Sequence, residues 1–207
     1  AETLPKEARR PFKPAALVAA TKECFSHKVF TLSTLVQVLS FGMLFGCLSS
    51  TQQTFETSFD RAATFPYWFA LIALIAGSAS VLNARLVMRV GMQRMIAAGF
   101  GMQILFSATV VLAGLLASVP FALYLVWTIS LFFMVGLVIG NLNALAMEPV
   151  GHIAGLAASV LGAVATVLGV AIAAPIGLAF DGTPMPLAVA TSTLSLLGFV
   201  VVKRGLR

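Results

Sequence analysis

MIAAGFGMQILFSATVVLAGLLASVPFALYLVWTISLFFMVGLVIGNLNALAM, residues Met95–Met147, runs for 53 positions without a charged side chain. As one helix it would reach roughly 80 Å at 1.5 Å per residue, against a bilayer hydrocarbon core of about 30 Å. The stretch must therefore break. Ala117-Ser118-Val119-Pro120 is where it can, because proline lacks an N–H and its ring obstructs a continuing helix.

The rest of the chain reads the same way. Further uncharged runs cover Val29–Phe55, Ala62–Ala84, Pro149–Phe180 (His152 counted neutral) and Gly182–Val202. Hydrophobic residues make up 59% of the 207 positions and charged ones 10%, with a mean hydropathy of +1.01. Soluble domains carry about 25% charged residues, so the expected fold class is an all-α membrane protein. Six transmembrane helices are expected at about 29–50, 66–84, 95–117, 121–146, 153–178 and 185–202, a bundle within 29–207.

The charges orient that bundle. An even number of spans puts both chain ends on one side. That side holds Lys6, Arg9, Arg10, Lys13, Lys22 and Lys28 before the first span, Arg85, Arg89 and Arg94 after the second, and Lys203, Arg204 and Arg207 after the sixth. Of the 13 Lys and Arg, only Arg61 lies opposite. By the positive-inside rule both termini are expected to be cytoplasmic. The net charge of +6 is then a topology signal, and no nucleic-acid partner is expected.

Residues 1–28 read as a cytoplasmic connector. Pro5, Pro11 and Pro14 discourage an early helix, and from Ala15 onward the segment fits either an ordinary basic linker or a short interfacial helix. The chain opens on Ala1, which reads as a cut rather than a natural start. Ser49–Phe65 is expected to be the longest loop between spans.

Enzyme chemistry finds little support. His27 and His152 both fall at the cytoplasmic edge, no GxSxG motif occurs, and no metal-ligand spacing is present, so neither catalysis nor a metal site is expected. Ionisable groups within spans are costly and default to functional roles, yet none occurs inside the six expected spans; Glu148 falls in the loop between the fourth and fifth. Polar candidates remain. Ser33, Gln37 and Ser40 share one face of the first span, as helix–helix contacts or as the wall of a cavity. In the fourth span Trp127, Met134 and Asn141 recur every seven residues, a stripe suited either to an adaptable binding wall or to lipid contact. Gln103 and Thr191-Ser192-Thr193 read as packing residues.

GHIAGLAASVLGAVATVLG, residues Gly151–Gly169, concentrates glycine and alanine. In lipid, small residues four apart let helix backbones approach closely. Gly151/Gly155, Ala154/Ala158, Gly162/Thr166 and Ala165/Gly169 supply such pairs on more of the helix surface than one neighbour requires.

The order of these features resembles the C-terminal half of a twelve-span major facilitator superfamily transporter of the Bcr/CflA drug-resistance type. ETLP and the following RRP look like the end of a sixth span and the central loop. NARLVMRVGMQR resembles the family's loop motif, with Asn83, Arg85, Arg89, Gly91 and Arg94 in place and Met88 where an acid would sit. EPVGHIAGLAASVLG and FDGTPMPLA resemble the start of the eleventh span and the turn before the twelfth.

The resemblance implies one half of that fold, corresponding to spans seven to twelve. The first and fourth spans would face a central cavity, making Gln37, Phe41, Trp127, Met134 and Asn141 candidate substrate contacts. The second and fifth would meet an N-terminal six-span half, with Gly155, Gly162 and Gly169 in that interface. Arg89 and Arg94 would serve a cytoplasmic gate, or simply set topology. The implied activity is efflux of small amphipathic molecules from the bacterial inner membrane, driven by a proton gradient without a cofactor. Rival readings are a superfamily transporter for another solute, or a self-contained six-span dimer without proton coupling.

Overall fold

The protein is described by a computed structural model that covers residues 14–206. ETLP, RRP and the basic residues Lys6, Arg9, Arg10 and Lys13 lie outside the described residues. Among the described residues seven α-helices follow one another: α1 (Pro14–Ser26), α2 (Lys28–Thr57), α3 (Phe65–Val90), α4 (Met92–Leu116), α5 (Phe121–Met147), α6 (Ala154–Leu178) and α7 (Met185–Gly205). No strand occurs among the described residues. Helices α2 to α7 are each long and apolar enough to cross a membrane.

The joints have identifiable causes. Gly91 ends α3 and starts α4 with φ of 89°, a left-handed conformation that costs glycine little. Between α5 and α6 the chain makes a 3-10 segment, Glu148–Ile153, in which Val150 leaves helical geometry. Before α7, Asp181 Oδ1 accepts the Thr183 hydroxyl at 2.7 Å and the Thr183 N–H at 2.9 Å. The Ser58 hydroxyl donates to the Gly182 carbonyl at 2.6 Å, tying the end of α2 to this same turn.

One boundary differs from expectation. Helix α2 runs on to Thr57, so the expected loop Ser49–Phe65 shrinks to Ser58–Arg61 and a 3-10 turn at Ala62–Thr64. The hydroxyls of Ser50 and Thr54 fold back onto carbonyls of their own helix, and Phe55 is fully buried, so these turns are anchored despite their polar sequence. Part of the connector is helix α1, which buries Ala20 and Cys24 in a cluster with Phe30, Ala146, Val150, Ile153, Ala157 and Leu161. Burial beside Glu23 pushes the Cys24 thiol above its ordinary range. The His152 ring and Glu23 carboxylate meet at 2.7 Å, joining α1 to the α5–α6 joint.

Small residues set the packing. Helices α2 and α6 run parallel. A Cβ added to Gly42 would meet Ile172 at 2.7 Å, and one added to Gly169 would meet Phe41 Cβ at 2.7 Å. Gly46 abuts Ile176 and Gly177 abuts Ser49 in the same register. Helices α4 and α7 run antiparallel, with Phe100 seated on Gly198 and Met185 on Gly114. Helix α5 lies inside, against α2, α3 and α4. Its first turns join an aromatic cluster of Phe55, Phe59, Phe65, Trp68, Phe121 and Tyr124 at the end away from Lys28, and Arg61 stacks 4.4 Å over Phe121 there. The opposite, basic end carries Lys22, Lys28, Arg85, Arg89, Arg94, Lys203 and Arg204.

Candidate functional site

Gln37 lies midway along α2, only 3% exposed, and among the described residues its Oε1 has no hydrogen-bond partner. One turn earlier Ser33 is fully buried with its Oγ equally unpartnered. Ser40, by contrast, donates to the Val36 carbonyl at 2.9 Å and is satisfied within its own helix. Leaving a buried polar atom unpaired costs about 1–3 kcal/mol. Two such atoms lie on successive turns of α2. Phe41 follows on, half-buried, its ring 5.3 Å from that of Phe45.

The α5 stripe is seated against neighbouring helices. Trp127 is fully buried, and its Nε1–H donates to Ser107 Oγ on α4 at 2.9 Å. Met134 is fully buried where Gly99 of α4 comes close. The Asn141 amide donates to Asn83 Oδ1 on α3 at 2.7 Å and to the Leu137 carbonyl at 2.8 Å. A spacing of seven puts three residues on one face, but it carries no information about whether that face looks inward to the bundle or outward. Here that face packs inward against α4 and α3, and the three residues are buried to the same degree as Gln37 and Ser33 on α2.

Around Trp127 lies a polar network that the sequence reading left as packing. The Gln103 amide donates to Ser107 Oγ at 3.2 Å, and its Oε1 accepts the Ser130 hydroxyl at 3.0 Å. Ser107 and Thr191 hydroxyls meet at 3.2 Å, which adds α7. The i,i+4 pair Gln103/Ser107 facing Trp127 and Ser130 was the available signal: amide, hydroxyl and indole groups at matching depth on antiparallel helices. Tyr124 OH, also buried, makes no hydrogen bond among the described residues and was not anticipated.

The small residues of α6 divide between two faces. Ala157, Leu161, Ala165, Gly169 and Ala173 turn toward the bundle. Gly169 therefore abuts α2 and does not lie on the outward surface expected for it. Gly155 and Gly162 do lie outward, with nothing within 4 Å of an added Cβ. From Ala154 to Thr166 no large apolar side chain of α6 is exposed, whereas α4 exposes Leu105, Leu112 and Leu115 and α7 exposes Leu196 and Leu197.

Arg89 and Arg94 are exposed at the basic end. Arg94 and Glu148 line one cavity of about 330 Å³ with Gly91, Met92, Gln93 and Leu145. No ion pair joins Arg94 to Glu148; among the described residues the one ion pair is Glu23–His152. No group of three or more His, Cys, Asp or Glu suited to a metal occurs among the described residues.

A family model described as Major Facilitator Superfamily matches residues 2–175. No curated protein and no solved structure matches the chain.

Proposed function

We propose that this chain, which belongs to the major facilitator superfamily, is the six-helix half of a proton-coupled exporter of small amphipathic molecules. The observation that carries the reading is the buried, unpartnered pair Gln37 Oε1 and Ser33 Oγ on α2. In this account a solute's polar group completes that pair while Phe41 contributes apolar contact. Trp127, Met134 and Asn141 act from behind, fixing α5 to α4 and α3 so that the α2 wall keeps its shape.

Export proceeds by rocking of two halves about a central site. The outward small-residue surface of α6 at Gly155 and Gly162 supports its assignment as contact for a second six-helix half, since close backbone approach is what such residues permit in lipid. The leucine-lined surfaces of α4 and α7 face acyl chains instead. The basic end lies in the cytoplasm of a bacterial inner membrane, and Arg89, Arg94 and Glu148 belong to the gate there. No cofactor is required. The energy comes from the proton gradient, through an acidic residue of the other half.

Resistance profiling of the full-length protein in a pump-deficient host tests the substrate class. Raised tolerance to several unrelated amphipathic compounds, lost on collapsing the proton gradient, is expected. Tolerance unchanged for such compounds, with uptake or export of one polar metabolite altered, would replace the efflux reading with that of a dedicated solute carrier.

A further inference from the structure

We propose that the cleft between α4 and α7 at the basic end is a binding site for the headgroup of an anionic phospholipid. A cavity of about 310 Å³ opens there, lined by Gln93, Arg94, Ala97, Val202 and Lys203. Two cationic side chains and an amide face it, and among the described residues no carboxylate does. Gln93 and Arg94 lie in the first turn of α4, where the helix dipole favours negative charge. Arg94 also borders the neighbouring cavity that holds Glu148, but no ion pair draws it to that side.

A headgroup fits better than a soluble anion because the site continues into an apolar track. Stepping along α4 from Arg94 by threes and fours leads to Ala98, Gly101 and Leu105. The same steps along α7 from Lys203 lead to Phe199 and Leu196. Ala98 and Gly101 leave a shallow trough beside the Phe199 ring, which lies 3.6 Å from a Cβ added to Gly101. Leu105 and Leu196 flank it, 71% and 54% exposed. Lys203 sits 5.6 Å above the Phe199 ring, its charge at the mouth of the trough. A phosphate in the cleft would thus place its acyl chain along the trough. Basic pockets between membrane helices recognise lipid headgroups in this way, each Lys or Arg adding appreciably to the attraction.

The test reconstitutes the full-length protein into bilayers of equimolar phosphatidylcholine and phosphatidylglycerol and counts retained lipids by native mass spectrometry. Wild type is expected to retain phosphatidylglycerol in preference to phosphatidylcholine. Arg94→Gln with Lys203→Gln is expected to lower that preference about tenfold, while Lys28→Gln with Arg85→Gln, removing equal charge from the same end, leaves it unchanged. Arg94→Lys with Lys203→Arg retains it. Equal losses in both Gln pairs would mean diffuse attraction and would overturn the site. Displacement of the lipid by glycerol 1-phosphate at equal concentration would assign the cleft to soluble anions and overturn it too. A monodisperse elution profile for each variant separates lost binding from lost fold.

Discussion

The indole N–H of Trp127 on α5 donates to the hydroxyl of Ser107 on α4 across 2.9 Å, fully buried, and that hydroxyl also meets Gln103 and Thr191. One oxygen therefore ties α5 and α7 to α4. Replacing Ser107 with Ala leaves the indole donor and a glutamine N–H without this partner. Hydrogen bonds in membrane proteins average near 0.6 kcal/mol by double-mutant cycle, while orphaned buried donors cost about 1–3 kcal/mol. We expect Ser107→Ala to destabilise by about 1–2 kcal/mol in a reversible unfolding assay, and a Ser107→Ala/Trp127→Phe cycle to show favourable coupling. Strictly additive effects would remove the network from the account.

Gly169 and Gly155 should respond differently to the same change. A Cβ at 169 would stand 2.7 Å from Phe41 Cβ, closer than carbon atoms tolerate, so α2 and α6 must separate. Gly169→Ala is expected to destabilise the bundle by about 1–3 kcal/mol, as overpacking does. Gly155→Ala meets nothing within 4 Å inside this six-helix unit and, in that unit studied on its own, should change stability by less than about 0.5 kcal/mol. Thermal unfolding of both variants checks the contrast, and equal effects would contradict the assignment of faces.

The turn before α7 should loosen in acid. The Thr183 hydroxyl and N–H hold the Asp181 carboxyl below its ordinary pKa. A folded pKa below the unfolded value means the stabilisation is complete above the ordinary aspartate range, and is lost as pH falls through the folded value. Amide exchange at Thr183 should be protected above that range and accelerate on acidification beyond the intrinsic trend. In Asp181→Ala the amide should be exposed throughout. Equal protection in wild type and variant would show that the carboxylate does not hold the turn.

Helix α1 is expected to stay docked when its ion pair is removed. Glu23 and His152 are 42% and 57% exposed, and pairs of this kind contribute about 0–1 kcal/mol. Cys24, Val150 and Ala20 bury apolar surface in the same contact. His152→Ala should leave protease resistance of the segment 14–26 nearly unchanged, whereas Val150→Asp should make it cleavable. Release by His152→Ala alone would reverse that ranking.

The helices were legible because apolar runs between charges have few other solutions in lipid. Where they stop was less legible. Ser50, Thr51 and Thr54 look like loop residues, yet in α2 the hydroxyls of Ser50 and Thr54 bond backward to their own helix. The α2 face with Ser33 and Gln37 could be drawn from spacing alone. The direction faced by Trp127, Met134 and Asn141 could not, because periodicity groups residues without saying which neighbour they meet. Gly169 shows the same limit, since glycine favours close contact with any helix. Its partner, Phe41 on α2, is 128 residues away in sequence. Gln103 and Thr191 gained meaning only once Ser107, Trp127 and Ser130 were brought beside them.

Transport by the full-length protein carrying Gln37→Ala tests the central claim most directly. The account predicts export of amphipathic substrates reduced about tenfold or more, at unchanged expression and membrane insertion, because a solute loses its hydrogen bond to the Gln37 amide. Wild-type export by that variant would contradict it and remove the α2 face from the transport path.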